Sequence, residues 1–137
     1  MIEDCLHLPV NLTLDFKLGI RWFERISESE RWNLTEVEKL RLLGDISPIA
    51  YGELLAGNEN NISLDERNNI AIRLSVLLTI YKLSYALVGN EYFYLLFNKA
   101  NKNSIFGGKS IKEILLAGNS LEQFFIVRKY LIDVTYY

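Results

Sequence analysis

The residues best placed to handle phosphate stand together in Gly108-Lys109-Ser110. In a phosphate loop, glycine amides cradle the anion, lysine reaches the terminal phosphates and the hydroxyl holds magnesium. That motif also needs a glycine five positions before Gly108 and a strand ahead of it. Position 103 is Asn, and the upstream segment reads as helix and loop. The triplet reads instead as a turn whose serine caps the next helix. Nucleophilic or metal chemistry has one thiol, Cys5, and one imidazole, His7, with no second Cys or His to complete a set. The paired carboxylates Glu3/Asp4 and Asp65/Glu66 fall at a terminus or in a helix first turn, where negative charge suits the helix dipole. No nucleophile, base and orienting group assemble, so the expectation is a protein without catalytic residues, metal or cofactor.

Two other groupings suit contact with a partner. Lys99, Lys102, Lys109 and Lys112 make the most basic stretch of the chain, faced by Glu113 alone. Arg128, Tyr130, Tyr136 and Tyr137 crowd the end of the sequence, and tyrosine and arginine are residue types that anchor interfaces. The chain has 137 residues, of which 50% are hydrophobic and 23% charged, enough for a buried core. Its net charge is -2, without the basic excess of a free-standing nucleic-acid binder. Glu3 and Asp4 stand where a signal peptide needs basic residues, and the longest apolar run, Leu74 to Tyr81, is short of a membrane span. A cytoplasmic location is expected.

Helices must position these groups. Phe16, Ile20, Phe23 and Ile26 mark one face of a first helix over about 15–29. Thr35-x-x-Glu38 is a capping box, with Val37, Leu40 and Leu43 as the inner face and Gly44 as the stop. Ser47-Pro48 opens a short helix closed by Gly57, and the pair resembles a helix-turn-helix unit. Ser63-x-x-Glu66 opens the longest helix, over roughly 64–87 and about 35 Å long, with a stripe of Ile70, Leu74, Leu77, Leu78, Tyr81, Tyr85 and Val88. A short helix follows around 91–98. Ser110-x-x-Glu113 and Ser120-x-x-Gln123 are further boxes, the first helix ending at Gly118 and the last running to about Val134. The spacing predicts an all-α multi-helix bundle.

The helix at 48–56 stands where a DNA recognition helix would, and Ser47 and Tyr51 would face the duplex. It carries no basic residue, and Glu53 would be repelled by phosphate, so DNA binding through this face is the secondary expectation.

The order of elements resembles the Xre/MbcA/ParS antitoxin family, partners of RES-domain toxins. The first half is similar through Trp32-Asn33-Leu34-Thr35, Leu42-Leu43-Gly44, Ser47, Tyr51 and Gly57, then Ser63-Leu64 and Leu78-x-Ile80-Tyr81-Lys82. The second half is similar through Asn101, Phe106-Gly107-Gly108-Lys109-Ser110, Leu115, Gly118 and Val127-Arg128-x-Tyr130-Leu131. Leu96 and Ala100 stand where the family usually has tryptophan and proline. Pro48, Ile49, Glu53 and Leu54 replace its usual basic and aromatic recognition positions.

The resemblance implies an antitoxin of a type II toxin–antitoxin system that neutralises an NAD-degrading RES toxin by covering its active-site entrance. It implies an N-terminal segment (1–14), an Xre-like helix-turn-helix and dimerisation region (15–88) and a small C-terminal toxin-binding module (89–137). The toxin-binding residues it implies are Phe106, Gly107, Gly108, Lys109, Ser110, Arg128, Tyr130, Tyr136 and Tyr137. It also implies self-association through the helix-turn-helix half. A DNA-binding autorepressor is the alternative.

Overall fold

The computed structural model describes residues 16–89, 91–99, 106–118 and 120–136. Helix α1 (Phe16–Glu28) turns Ile20, Trp22, Phe23 and Ile26 inward. Helix α2 (Glu36–Leu42) starts on Thr35, whose hydroxyl accepts from the Glu38 amide while the Glu38 carboxylate accepts from the Thr35 amide. That closed box satisfies donors a helix start otherwise leaves open. Helix α3 (Pro48–Leu55) starts on Ser47, which accepts from the Ala50 amide, with Pro48 where no amide donor is needed. A 3-10 turn (Glu59–Asn61) leads to helix α4 (Leu64–Val88), capped by Ser63. Helices α5 (Phe93–Asn98), α6 (Ile111–Leu116) and α7 (Leu121–Tyr136) complete the order. The protein is all-α, with no strand among the described residues.

Helix α4 is the spine. Ile70, Leu74, Leu77, Leu78 and Tyr81 are buried as their spacing predicts, but so are Arg73, Val76, Ile80, Leu83 and Ser84. The single stripe becomes near-complete enclosure because α1, α5 and α7 all pack on this helix, α7 most extensively. By length and composition Leu64–Val88 could cross a bilayer, and 56% of its most apolar window is buried inside the protein, as in the core helix of a globular fold.

Around Tyr81 the core is aromatic. Trp22 and Trp32 meet edge to face at 5.9 Å, Trp22 and Tyr81 at 5.8 Å, and Trp32 stacks on Phe97 at 4.7 Å. These rings come from α1, the α1–α2 connection, α4 and α5, so residues on both sides of position 88 share one core. Polar ties cross the same division. Arg41 Nε donates to the Leu116 carbonyl at 2.7 Å, Lys112 Nζ to the Asn33 carbonyl at 3.1 Å, and Asn98 Nδ2 to the Arg31 carbonyl at 3.0 Å.

Two local expectations are corrected. On α2, Val37 is 74% exposed while Lys39 is only 2% exposed. The lysine stem packs inward because its Nζ meets Glu24 at 3.0 Å and Glu36 at 2.8 Å. On α7, the Ser120 hydroxyl accepts from the Glu122 amide, and Gln123 does not close a box. The stop at Gly44 is as expected. Its φ is +101°, and an added Cβ would lie 2.8 Å from Asn69 Nδ2 and 3.2 Å from Arg73 Nε, so only glycine fits.

Candidate functional site

The loop before α6 is built by two glycines and a cap. Gly107 and Gly108 have φ of +57° and +84°, and the Lys109 amide donates to the Phe106 carbonyl at 3.0 Å. This turn leaves Gly107, Gly108 and Lys109 exposed and folds Phe106 and Ser110 inward. Phe106 packs edge-on against Tyr130 at 4.7 Å, which fastens the loop to α7. Ser110 Oγ accepts from the Glu113 amide at 3.0 Å, and the Glu113 carboxylate accepts from the Ser110 amide at 2.9 Å. The backbone bond from Ser110, then its hydroxyl, hold the Glu113 carboxyl below its ordinary pKa. The serine hydroxyl is thus engaged in capping.

Arg128 lies elsewhere. Residues 128 and 130 are about 160° apart around a helix of 3.6 residues per turn. Tyr130 therefore joins the loop while Arg128 turns the other way. Its guanidinium lies 4.9 Å from the centre of the Phe125 ring, and Phe125 is 40% exposed. Beside this pair an open groove of about 280 Å³ runs between α4 and α7, lined by Ala71, Ile72, Ser75, Val76, Phe125 and Arg128. The expected docking residues thus divide between two sides of α7. Tyr136 is the last residue of α7, its side chain outside what the structure describes, and Tyr137 lies outside the described residues.

Sequence reasoning missed Ile72, Ser75 and Phe125. The signal was present in Phe124-Phe125, since neighbours about 100° apart share an interior only where the helix is widely enclosed, and at the surface of a bundle one of them is left outward. Phe124 takes the interior, under the Arg73 guanidinium at 5.3 Å, and Phe125 is left at the surface. Arg73 is itself buried, and that burial lowers its pKa.

On the helix-turn-helix-like side, Ser47 is exposed but serves as the α3 cap. Tyr51, expected to face DNA, is instead a core residue. Its hydroxyl donates to Glu24 Oε1 at 2.6 Å, and its ring meets Phe23 edge-on. Burial and the Glu24 carboxylate push the phenol pKa up. The exposed residues of α3 are Pro48, Ile49, Gly52 and Leu55, and the half-buried Glu53, one turn after Ile49, accepts from Asn61 Nδ2 at 2.6 Å.

Two other clefts are polar. One, of about 160 Å³, lies by Lys17, Arg21 and the end of α3, and the other, of about 340 Å³, by Glu30, Arg31, Glu91 and Tyr94. Among the described residues no three His, Cys, Asp or Glu side chains converge for a metal. No family model, curated protein or solved structure matches the chain.

Proposed function

We propose that this protein is the antitoxin of a type II toxin–antitoxin pair, acting in the cytoplasm, and that it neutralises an NAD-degrading RES-domain toxin by seating over the toxin's active-site entrance. The ordered similarity to the Xre/MbcA/ParS family supports the reading. The observation that carries it furthest is the exposed Phe125 with the half-buried Arg128 beside an apolar groove, the pairing of aromatic and arginine that anchors protein interfaces. In this reading the chain itself needs no cofactor. Co-expression with a cognate RES-domain toxin tests it. Growth and cellular NAD should be retained when the full chain is present. Equal NAD loss and killing with and without it would refute the assignment.

Self-association belongs to the same reading. The outer face of α3, with Ile49 80% exposed beside Gly52 and Leu55 and with Glu53 as its one charge, an acidic one, suits a second copy better than a duplex. Ile49→Asp should convert an oligomer to monomer in sedimentation velocity without changing helix content. An unchanged sedimentation coefficient would place the contact elsewhere. The autorepressor alternative needs cations on this face, and an anisotropy titration on promoter DNA at two salt concentrations would reveal it as tight, steeply salt-dependent binding.

A further inference from the structure

We propose that the groove between α4 and α7 receives an apolar side chain from a partner protein, and that Arg128 pairs with a carboxylate close to that side chain in the partner's sequence. The inference rests on the reading of α7 as a partner-facing helix; the chemistry of what it takes is the new element.

The lining residues select the occupant. Ala71, Ile72, Val76 and Phe125 supply apolar walls, and Ser75 leaves the middle of the α4 wall small. Ile72 and Phe125 are each exposed by more than a third, and Ile132, one turn beyond Arg128 on α7, also stands exposed. Water against these walls is released when an apolar group enters. At about 280 Å³ the groove is just below the range of small-molecule sites, about 300–1,000 Å³, and it is open, so it suits a large side chain presented by a chain better than an enclosed ligand.

Arg128 carries the only charge among the lining residues. It has no carboxylate partner among the described residues, whereas Lys129 next to it is bridged to Asp133 at 3.1 Å. Phe125 holds the guanidinium at the lip, 4.9 Å from its ring centre, and a cation–π contact leaves the guanidinium N–H donors for a planar anion. A carboxylate meets that need, and charge complementarity excludes a basic segment.

The test uses the full-length protein and a displayed library of random 12-residue peptides. Recovered sequences should place Asp or Glu within a few positions of Leu, Ile, Met or Phe. Ser75→Trp, which fills the groove, should abolish binding of those peptides. Arg128→Gln should weaken them about tenfold, the loss of one charge-assisted pair. Arg128→Glu should move the preference towards Lys- or Arg-bearing peptides. Ile72→Lys, at an exposed position, repeats the block in a variant whose folding is not at risk, and circular dichroism confirms helix content throughout.

Peptides lacking an acid, recovery of none, or undiminished binding by both groove variants would overturn the proposal. So would wild-type self-association that Ser75→Trp abolishes, which would make a second copy the occupant. Failure here with toxin protection intact would leave the antitoxin reading on another surface. Acid-bearing peptides without toxin protection would keep the groove and reject that reading.

Discussion

Replacing Trp32 with alanine is expected to lower the unfolding free energy by about 3–5 kcal/mol, the range for removing a fully buried large aromatic. Its side chain is fully buried and contacts rings from three helices: Trp22 of α1, Tyr81 of α4 and Phe97 of α5. The stacked contact with Phe97 has planes within 5° of parallel, so deletion leaves a flat void that neighbouring rings cannot close by small rotations. A domain of ordinary stability has about 5–15 kcal/mol in total, and the variant should approach the edge of folding. Trp32→Phe should cost much less. It keeps a ring for Phe97, and it removes an indole N–H that is buried without an acceptor among the described residues. Urea denaturation followed by circular dichroism checks both variants. A midpoint for Trp32→Ala within error of the parent would mean that the ring cluster does not hold α1, α4 and α5 together.

That cluster also shows what the sequence could disclose. Helix starts were legible because Thr35, Ser47, Ser63 and Ser110 each make a local hydrogen bond within three residues. Such bonds depend on a few neighbouring side chains and need no knowledge of the fold. Helix type and order followed, as did the Gly44 stop. Inward faces were less legible. The periodicity on α2 favoured Val37, yet a lysine is inside, because carboxylates on α1 and α2 meet its end and solvent does not. Tyr51 looked available at the surface for a similar reason, since its partner Glu24 lies far back in sequence on α1. The candidate site was the least legible part. Arg128 was selected with Tyr130 by nearness in sequence, and helical geometry sends them to different sides. The groove itself needs Ile72 and Ser75 from α4, a pairing that only the packing of α4 on α7 creates.

The second large effect is expected at Glu24. Its Oε1 accepts from both Lys39 Nζ at 3.0 Å and the Tyr51 hydroxyl at 2.6 Å, so one carboxylate joins α1, α2 and α3. Glu24→Ala should destabilise the protein by about 1–3 kcal/mol, because the buried Tyr51 hydroxyl loses its acceptor, while Lys39 keeps Glu36 at 2.8 Å. Lys39→Met should cost less than that, since Glu24 is part-exposed and water can take over its charge. The pH dependence follows from the same contacts. Burial raises the Glu24 carboxyl, but hydrogen bonds with Tyr51, Glu28 and Lys39 outweigh it and hold the pKa below the ordinary 4.5. A carboxyl lowered in the folded state contributes stability above its unfolded pKa and loses it as pH falls through the folded value. Glu28 opposes this. The hydrogen bond and charge of Glu24 raise its carboxyl, so its contribution diminishes as pH rises through that raised value. At the basic end, burial lowers Lys39, yet its bonds to Glu36 and Glu24 raise it above 10.5, and its contribution is lost only as pH climbs through that higher value. Glu24→Gln keeps the shape without the charge. Its stability should fall less steeply than that of the parent below about pH 4.5, where the parent's carboxylate is being protonated. Parallel melting-temperature curves for the two proteins between pH 6 and pH 3 would show that this carboxylate does not set the acid limit of the fold.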